Sequence, residues 1–320
     1  MGRIGISSER IFVGIPTFNR PDFVRETVAS LRAQTFGYFR AIVSDNRSPD
    51  GAGDAVRAYV EALGDRRIGF VEQPENGGEY GQGRYLFGAA GDADYFCILH
   101  DDDVLAPSYL QRAVAALDAA PDVALFVANP WVMDEAGTRL TLETYGYQRD
   151  HGRSRRERGR FPVLETHMAS GFTPISGTVF RTAWLRRSGF VDQDCHGNFP
   201  FELNVMTRLG DIGATGWYEP DLLLGVRYHA GSLRNMLGLM RNPAVVGTML
   251  RILERRQYSG APERRRRKIV SRLYRAQADI ALAGGDRDEA RAKLRAACAA
   301  NPLSPRAWGR RLGVAMGAGA

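Results

Sequence analysis

The chain has few cysteines and no long apolar run, and both absences narrow what it can be. Its 320 residues contain three cysteines, Cys97, Cys195 and Cys298, which are far apart and odd in number. This pattern argues against a disulfide framework and against a structural zinc site. No segment approaches the roughly 18 to 20 consecutive apolar residues that a membrane-spanning helix needs. The first residues also lack the apolar core of a secretory signal, so we expect a cytoplasmic protein.

Glycine-rich phosphate loops are missing as well. The first predicted strand, 11–15, is followed by Pro16, Thr17 and Phe18, which fit neither the dinucleotide-binding nor the Walker pattern. The glycine-rich segment 76–83 matches neither template either. These absences argue against a dehydrogenase and a P-loop enzyme, and against a nucleotidyltransferase that builds sugar nucleotides. A nucleotide bound by this chain would need a cation to neutralise its phosphates.

Positive charge is concentrated in the last quarter of the chain. Residues 241–320 contain 18 Lys and Arg against 6 Asp and Glu, a net charge of +12, whereas the whole chain carries +7. The basic run 264–268 is either the solvated start of a helix or a site of attraction to an anionic membrane surface. We expect no nucleic-acid partner, because aromatic residues are sparse around this run.

Strand-like and helix-like segments alternate in the first hundred residues. Short apolar runs predict strands, and apolar residues spaced three or four apart predict the helices between them. The predicted strands are 11–15, 40–44, 68–71 and 95–99, and the predicted helices are 21–35, 53–63 and 81–90. This order predicts an α/β fold with a mostly parallel central sheet flanked by helices.

Later segments are less regular. Further strands are predicted at 123–127 and 222–228, and the Arg- and Gly-rich stretch 145–160 is predicted to be a long mobile loop. Near the end, apolar spacing in 269–280 and 287–299 predicts a helical hairpin. We therefore expect a main domain over 1–240 and a basic helical C-terminal extension over 241–320.

Carboxylates follow two of the predicted strands. Asp45 ends the second strand, and Asp101, Asp102 and Asp103 follow the fourth. The carboxyl ends of parallel strands face one crevice, so these side chains can meet there. Adjacent carboxylates repel one another, and hard oxygen ligands suit Mg²⁺ or Mn²⁺. The alternatives are an ordinary turn at Asp45 and, for the triplet, the acidic start of a helix near Ser108.

Four segments together resemble the successive motifs of bacterial-type family 2 glycosyltransferases of the GT-A fold. They occur in that family's order within the first 110 residues: Val13 to Arg20, Ser44 to Ser48, Asn76 to Gly78, and Leu99 to Asp103. The resemblance implies a nucleotide-sugar donor, a divalent metal ion, and inversion at the anomeric carbon. It also implies that residues 1–110 bind the donor nucleotide and that 111–240 bind the acceptor.

The resemblance assigns roles to individual residues. Donor contacts are implied for Pro16, Thr17, Asn19, Arg20, Asp45, Asp101 and Asp102. Metal ligation is implied for Asp102 first, with Asp103 and His229 as further ligands. The alternative for His229 is a structural histidine.

Two positions depart from the family pattern. His100 stands where the family has its first acidic residue of the metal motif, and Phe201 stands where an acid precedes the catalytic base. Glu202 matches the base itself, and a carboxylate there could take the proton from an attacking acceptor hydroxyl. The alternative is a helix-capping or surface glutamate.

The resemblance, together with these features, implies a metal-assisted, inverting glycosyltransferase that serves cell-surface glycan or glycoconjugate synthesis. The acceptor is expected to be a glycan, a lipid-linked molecule or a small molecule, and the basic tail is expected to allow peripheral membrane contact. The alternative is a non-catalytic nucleotide-sugar-binding or scaffold protein that retains the fold, which the loss of the acid at Phe201 would favour.

Overall fold

The computed structural model describes residues 9–195, 200–229 and 236–315. The chain forms two compact units, one made of residues 1–191 with 205–230 and the other of residues 192–204 with 231–320. The boundary between independent domains near residue 240 stays a prediction.

A mixed nine-stranded sheet forms the centre of the first unit. Its strands are β1 (Ile11–Thr17), β2 (Phe39–Asp45), β3 (Ile68–Glu72), β4 (Tyr95–Ile98), β5 (Val104–Leu105), β6 (Leu125–Met133), β7 (Gly159–Pro162), β8 (Val179–Arg181) and β9 (Thr215–Arg227). The strand order is β3-β2-β1-β4-β8-β6-β9-β5, with β7 paired to β9. The first four strands are parallel, as predicted, whereas β8 joins both β4 and β6 in antiparallel pairing.

Helices flank this sheet because their apolar residues recur at three- or four-residue spacing. In α1, for example, Val24, Val28 and Leu31 are fully buried on one face. The helices are α1 (Pro21–Arg32), α2 (Ala52–Ala62), α3 (Gly78–Ala89), α4 (Tyr109–Ala119), α5 (Thr141–Asp150), α6 (Val163–Ser170), α7 (Thr182–Ser188) and α8 (Phe201–Asp211). The predicted α/β fold class is confirmed.

Strand register brings three loops to one edge of the sheet. Thr17 at the end of β1 lies beside Asp45 at the end of β2. On the other side of β1, Gly14 pairs with Ile98, so the turn after β4 opens at the same edge. The aspartate triplet lies in this turn, ahead of β5 and not at the start of α4, so the helix-start alternative is wrong.

The segment predicted as a mobile loop is instead largely ordered. Residues 141–150 form α5, and 159–162 form β7, which pairs with β9. Its helix has few apolar residues, so sequence periodicity gave no signal. The segment is anchored instead by Arg153, whose fully buried guanidinium donates to the carbonyl oxygen of Ala128 at 2.9 Å.

The second unit is helical. It contains α9 (Met236–Leu239), α10 (Pro243–Glu254), α11 (Gly260–Ala283), α12 (Arg287–Ala300) and α13 (Pro305–Ala315). Asp286 caps α12 by accepting a hydrogen bond from the Glu289 N–H at 2.8 Å. Leu294 and Val314 belong to a small buried cluster with residues of α11. The predicted helical hairpin is confirmed, and in the described ranges no helix is long and apolar enough to cross a membrane.

Candidate active site

Asp101 joins the first motif to the aspartate triplet. Its Oδ2 accepts a hydrogen bond from the Thr17 hydroxyl at 2.8 Å, and its Oδ1 accepts one from Arg20 Nη1 at 3.1 Å. Both contacts follow from the pairing of β1 with β4, since Thr17 ends β1 and Asp101 follows β4. Burial and the nearby charge of Asp102 raise the pKa of Asp101. The carboxylate therefore lies in a place that favours neutralisation by a proton or a cation.

The carboxylate of Asp102 contacts both a guanidinium and an imidazole. Its Oδ2 lies 3.1 Å from Arg20 Nη1 and 2.9 Å from His229 Nε2. His229 follows β9, and its ring lies against Phe23 with 5.3 Å between ring centroids. The arrangement brings the predicted Arg20, Asp101, Asp102 and His229 together in one place.

Asp103 is turned toward the protein interior. One carboxylate oxygen accepts a hydrogen bond from the Ser176 hydroxyl, and the other accepts one from the main-chain N–H of Arg227 at 3.2 Å. Burial and the charge of Asp102 raise the pKa of Asp103. These contacts hold the turn in place. Asp103 therefore has a structural role, whether or not it also binds an ion.

A group suited to a divalent cation is present at this turn. One ligand atom each from His100, Asp102 and Asp103 lies within 4.8 Å of the other two. Burial lowers the pKa of His100, but the charges of Asp103 and Asp102 act in the opposite direction and the net shift is upward. Because carboxylate oxygens are ligands of Mg²⁺ and Mn²⁺, and a dication would relieve their repulsion, these residues fit such an ion.

Asp45 is buried and contacts its own loop. Its carboxylate accepts hydrogen bonds from the main-chain N–H of Ser48 at 2.9 Å and from the Ser48 hydroxyl. The same hydroxyl accepts a hydrogen bond from the N–H of Asn19 at 2.8 Å. A Cβ atom at Gly53 would lie 2.9 Å from Asp45 Oδ2, so glycine lets α2 begin beside this carboxylate. Asp45 thus connects the loops that follow β1 and β2.

The asparagine-glycine segment ahead of α3 is tied to the loop after β2. Asn46 Nδ2 donates to Asn76 Oδ1 at 2.9 Å, and the Gly77 N–H donates to Asn46 Oδ1 at 3.0 Å. Asn19 and Arg47 adopt left-handed backbone angles, with φ of 56° and 63°. This conformation is uncommon outside glycine and, for a residue such as arginine, is retained where surrounding contacts hold it.

Pro16 and Glu202 are the remaining predicted site residues. Pro16 is half-buried and lies opposite Ser44 in the β1–β2 register, at the same edge as Thr17. Glu202 is the second residue of α8 and half-buried. It belongs to the segment 192–204 of the second unit. Its role as base stays a prediction.

Sequence reasoning missed Arg227, which holds the aspartate turn in place. Its guanidinium is fully buried and donates to the Asp102 carbonyl at 3.0 Å and to the Glu135 carbonyl at 2.8 Å. A third contact is the ion pair with Glu26 at 2.5 Å. The only sequence signal is an arginine near the end of an apolar strand, which is unusual for a charged residue.

Comparison with protein families identifies the chain. The family model described as "Glycosyl transferase family 2" matches residues 12–190, which is more than half of the sequence. The chain belongs to this family. The resemblance found in the motifs is therefore confirmed, and the chain is a glycosyltransferase by family.

Curated relatives of this glycosyltransferase are distant. Validoxylamine A glucosyltransferase from Streptomyces hygroscopicus subsp. jinggangensis is 25% identical over 230 residues, covering 68% of this chain and 51% of the relative. The succinoglycan biosynthesis protein ExoW from Rhizobium meliloti is 28% identical over 109 residues, covering 34% of each chain. The chain spans about half the length of the first relative.

Solved structures share the fold of this glycosyltransferase at low sequence identity. Staphylococcus aureus TarS 1–349, in complex with UDP-GlcNAc, has a TM-score of 0.63 at 14% identity, covering 94% of this chain and 83% of that one. The mannosyltransferase PcManGT from Pyrobaculum calidifontis, in complex with GDP-Man and Mn²⁺, has a TM-score of 0.55 at 20% identity, covering 97% and 81%. These likenesses show the GT-A fold.

Proposed function

We propose that the chain transfers a sugar from a nucleotide-diphosphate-sugar donor to an acceptor hydroxyl, with inversion at the anomeric carbon and with Mg²⁺ or Mn²⁺ as cofactor. The aspartate turn after β4 carries the proposal. There Arg20 Nη1 lies 3.1 Å from a carboxylate oxygen of Asp101 and 3.1 Å from one of Asp102. Such a mixture of carboxylates and a cation suits a diphosphate accompanied by a metal ion.

The proposed ion ligands are Asp102, Asp103 and His229. His100 is the alternative imidazole, because its ring nitrogen is the one grouped with both carboxylates. When bound, the ion would stabilise negative charge on the departing diphosphate. Two proteins that share the fold support a donor and metal site of this kind. The structure of one contains UDP-GlcNAc, and that of the other contains GDP-Man and Mn²⁺.

The remaining donor contacts are proposed for the loops after β1 and β2. Pro16, Thr17, Asn19 and Asp45 would contact the nucleoside, and Arg20 would contact the diphosphate. Asp45 accepts hydrogen bonds from Ser48, but a carboxylate has about four acceptor sites and can still bind a ribose or base. We assign the donor half to residues 1–110 and the acceptor half to 111–240.

Glu202 is the proposed general base. It would take the proton of the acceptor hydroxyl as that oxygen bonds to the anomeric carbon. The bond from that carbon to the diphosphate oxygen breaks on the opposite side, and the diphosphate leaves with the electron pair. Attack from the opposite side inverts the anomeric configuration.

A role in cell-surface glycan or glycoconjugate synthesis is also proposed. It is supported by the name of ExoW, a succinoglycan biosynthesis protein. The alternative is a small-molecule acceptor, which the names of the validoxylamine A glucosyltransferases support.

The test is release of nucleoside diphosphate by the purified full chain from UDP-, GDP- and dTDP-sugars, with Mn²⁺ or Mg²⁺ and with candidate acceptors. We expect metal-dependent release, and a loss of about 10²–10⁴-fold in Glu202→Gln with donor binding retained. Asp102→Asn should weaken metal-dependent donor binding, whereas Asp92→Asn, a change at an exposed aspartate, should alter neither quantity. Full turnover in Glu202→Gln would place the base elsewhere. Donor binding without turnover under all conditions would favour the non-catalytic alternative.

A further inference from the structure

Three large apolar side chains are exposed close together in the second unit. The exposed fractions are 90% for Leu303, 42% for Trp308 and 59% for Leu312. Trp308 and Leu312 are four residues apart on α13 and so share a face, whereas Ala307 and Val314 are buried. Exposed apolar residues that occur singly are ordinary, but a group of them marks an interaction surface.

The indole of Trp308 is fixed beside the loop that carries Leu303. Its Nε1 donates to the carbonyl oxygen of Pro302 at 2.8 Å. The guanidinium of Arg311 lies 5.1 Å from the centroid of the same ring. Leu303, Trp308 and Leu312 therefore form one patch with a cation at its side. We name these three residues and Arg311 the α13 surface.

Further positive charge surrounds the α13 surface. Arg267 Nε donates to the carbonyl oxygen of Ala300 at 2.8 Å, so that part of α11 lies beside the loop leading to Leu303.

Few of these charges are neutralised by acids. Glu263 pairs with Arg266 at 2.7 Å, and Asp279 pairs with Arg310 at 2.8 Å. Within the described ranges no carboxylate oxygen lies within 4.0 Å of Arg267 or Arg311. The α13 surface is thus apolar at its centre and positively charged around it.

Apolar side chains with positive charge beside them suit some binding partners of the α13 surface better than others. A second copy of the chain would bring like-charged guanidiniums together across the patch, which is unfavourable. Single-stranded nucleic acid is bound through several stacked aromatic rings, whereas this surface offers one. Tryptophan and leucine at the level of the headgroups, with arginines facing anionic lipids, are the features of a surface that lies on a membrane.

We propose that the α13 surface binds the anionic face of a lipid bilayer, with Trp308 and Leu312 entering the headgroup region and the arginines of α11 and α13 contacting anionic headgroups. The proposal goes beyond sugar transfer and does not depend on it. Each arginine that reaches the lipid surface strengthens binding by about five-fold, and added salt weakens it.

The test is co-sedimentation of the full chain with vesicles of phosphatidylcholine alone or mixed with phosphatidylglycerol. We expect binding to the anionic vesicles only. Changing both Arg267 and Arg311 to Gln should weaken it by at least ten-fold, and Leu312→Ser should weaken it several-fold. Leu303→Ser, a change at a nearly fully exposed loop residue, provides a second apolar variant that retains the fold.

Matched controls lie in the first unit. Leu142 is 82% exposed, so Leu142→Ser removes an equivalent apolar side chain. Arg66 and Arg155 are exposed, and changing both to Gln removes the same charge. Both controls should bind anionic vesicles as the wild type does. Equal binding to both vesicle types, equal weakening in the controls, or no vesicle binding would overturn the proposal. Loss of a dimer in Leu312→Ser without vesicle binding would identify a second copy as the occupant instead.

Discussion

Arg227 and Asp102 are 125 positions apart in the sequence, yet Arg227 Nε donates to the main-chain oxygen of Asp102 at 3.0 Å. The main-chain N–H of the same arginine donates to the carboxylate of Asp103 at 3.2 Å. One buried residue near the end of β9 thus fixes both the backbone and a side chain of the turn that would bind the diphosphate and its ion. Because Arg227 contacts the aspartates mainly through the backbone, it leaves the carboxylate of Asp102 to Arg20 and His229.

The first prediction concerns Arg227→Met. The change leaves the carbonyls of Asp102 and Glu135 without this donor and removes the partner of Glu26. Glu26 is half-exposed, so the main cost is that of the carbonyls left without a donor, about 1 to 3 kcal/mol in the free energy of unfolding. Urea denaturation should show a loss of this size, and metal-dependent donor binding should weaken. Arg66→Met, at an exposed position, should change stability by less than about 0.5 kcal/mol. An equal loss in both variants would contradict the role of Arg227.

The second prediction concerns the metal ion. Chelation with EDTA should abolish donor turnover, and Mn²⁺ or Mg²⁺ should restore it. His229 Nε2 lies 2.9 Å from Asp102 Oδ2, so His229 either binds the ion or orients its ligand. In both cases His229→Asn should raise the half-saturating metal concentration by about 10- to 100-fold. His151→Asn is the control, since the ring of His151 stacks on Tyr147 instead. An unchanged metal requirement in His229→Asn would exclude His229 from the site.

The parts of the site that the sequence predicts are those that follow from short apolar strands. Thr17, Asp45 and Asp101 each end or follow a parallel strand, so local pattern and the α/β rule suffice to place them at one edge. Arg227 could not be assigned in this way, because its partners Glu26 and Glu135 lie on distant segments. Such contacts depend on tertiary packing and leave no periodic signal.

Two other features could not be predicted from the sequence. The polar composition of α5 hides its helical face, so the segment 145–160 resembled a loop. The family resemblance ranks Asp102 ahead of Asp103 as a metal ligand, but nothing in the local sequence shows that Ser176 and Arg227 bind the carboxylate of Asp103. Which carboxylate of a triplet faces the crevice is set by the tertiary partners of each, and not by its order in the chain.

The third prediction is a pH dependence of stability from His167. Burial lowers the pKa of His167 from 6.5 to about 4. Between these values the unfolded chain binds a proton that the folded chain does not, so the free energy of unfolding falls as pH decreases from 6.5 toward 4. Above pH 6.5 this contribution is complete. At pH 5 the loss is about 2 kcal/mol.

Urea denaturation at several pH values checks this prediction. In His167→Gln the decline between pH 6.5 and pH 4 should become shallower, because the titrating group is gone. Met168→Leu, a volume-conserving change at a buried neighbour in α6, should keep the slope of the wild type. A slope in His167→Gln that equals that of the wild type would assign the pH dependence to other groups.

The fourth prediction concerns how the segment that carries Glu202 is held. Arg256 Nη1 and Nη2 donate to the two carboxylate oxygens of Asp192 at 3.1 and 3.3 Å, and both side chains are buried. The N–H of Asp192 in turn donates to Asn204 Oδ1 at 3.0 Å, and Asn204 Nδ2 donates to Asp192 Oδ2 at 3.2 Å. Asn204 lies two residues after Glu202 in the first turn of α8. The ion pair therefore fixes the backbone next to the proposed base, and we expect Arg256 to act as a positioning residue.

Arg256→Met should lower kcat while leaving KM for the donor little changed, because donor contacts are assigned to the first unit and only the base loses its support. Arg256→Lys should restore part of kcat, since lysine keeps the charge but cannot bind both oxygens of Asp192 in a fork. Its sequence neighbour is the matched control. Arg255 pairs with Asp194 at the surface, where such a pair contributes about 0 to 1 kcal/mol, so Arg255→Met should leave both kinetic constants unchanged. If Arg256→Met lost stability without losing kcat, the buried pair would serve the fold alone and Glu202 would not depend on it.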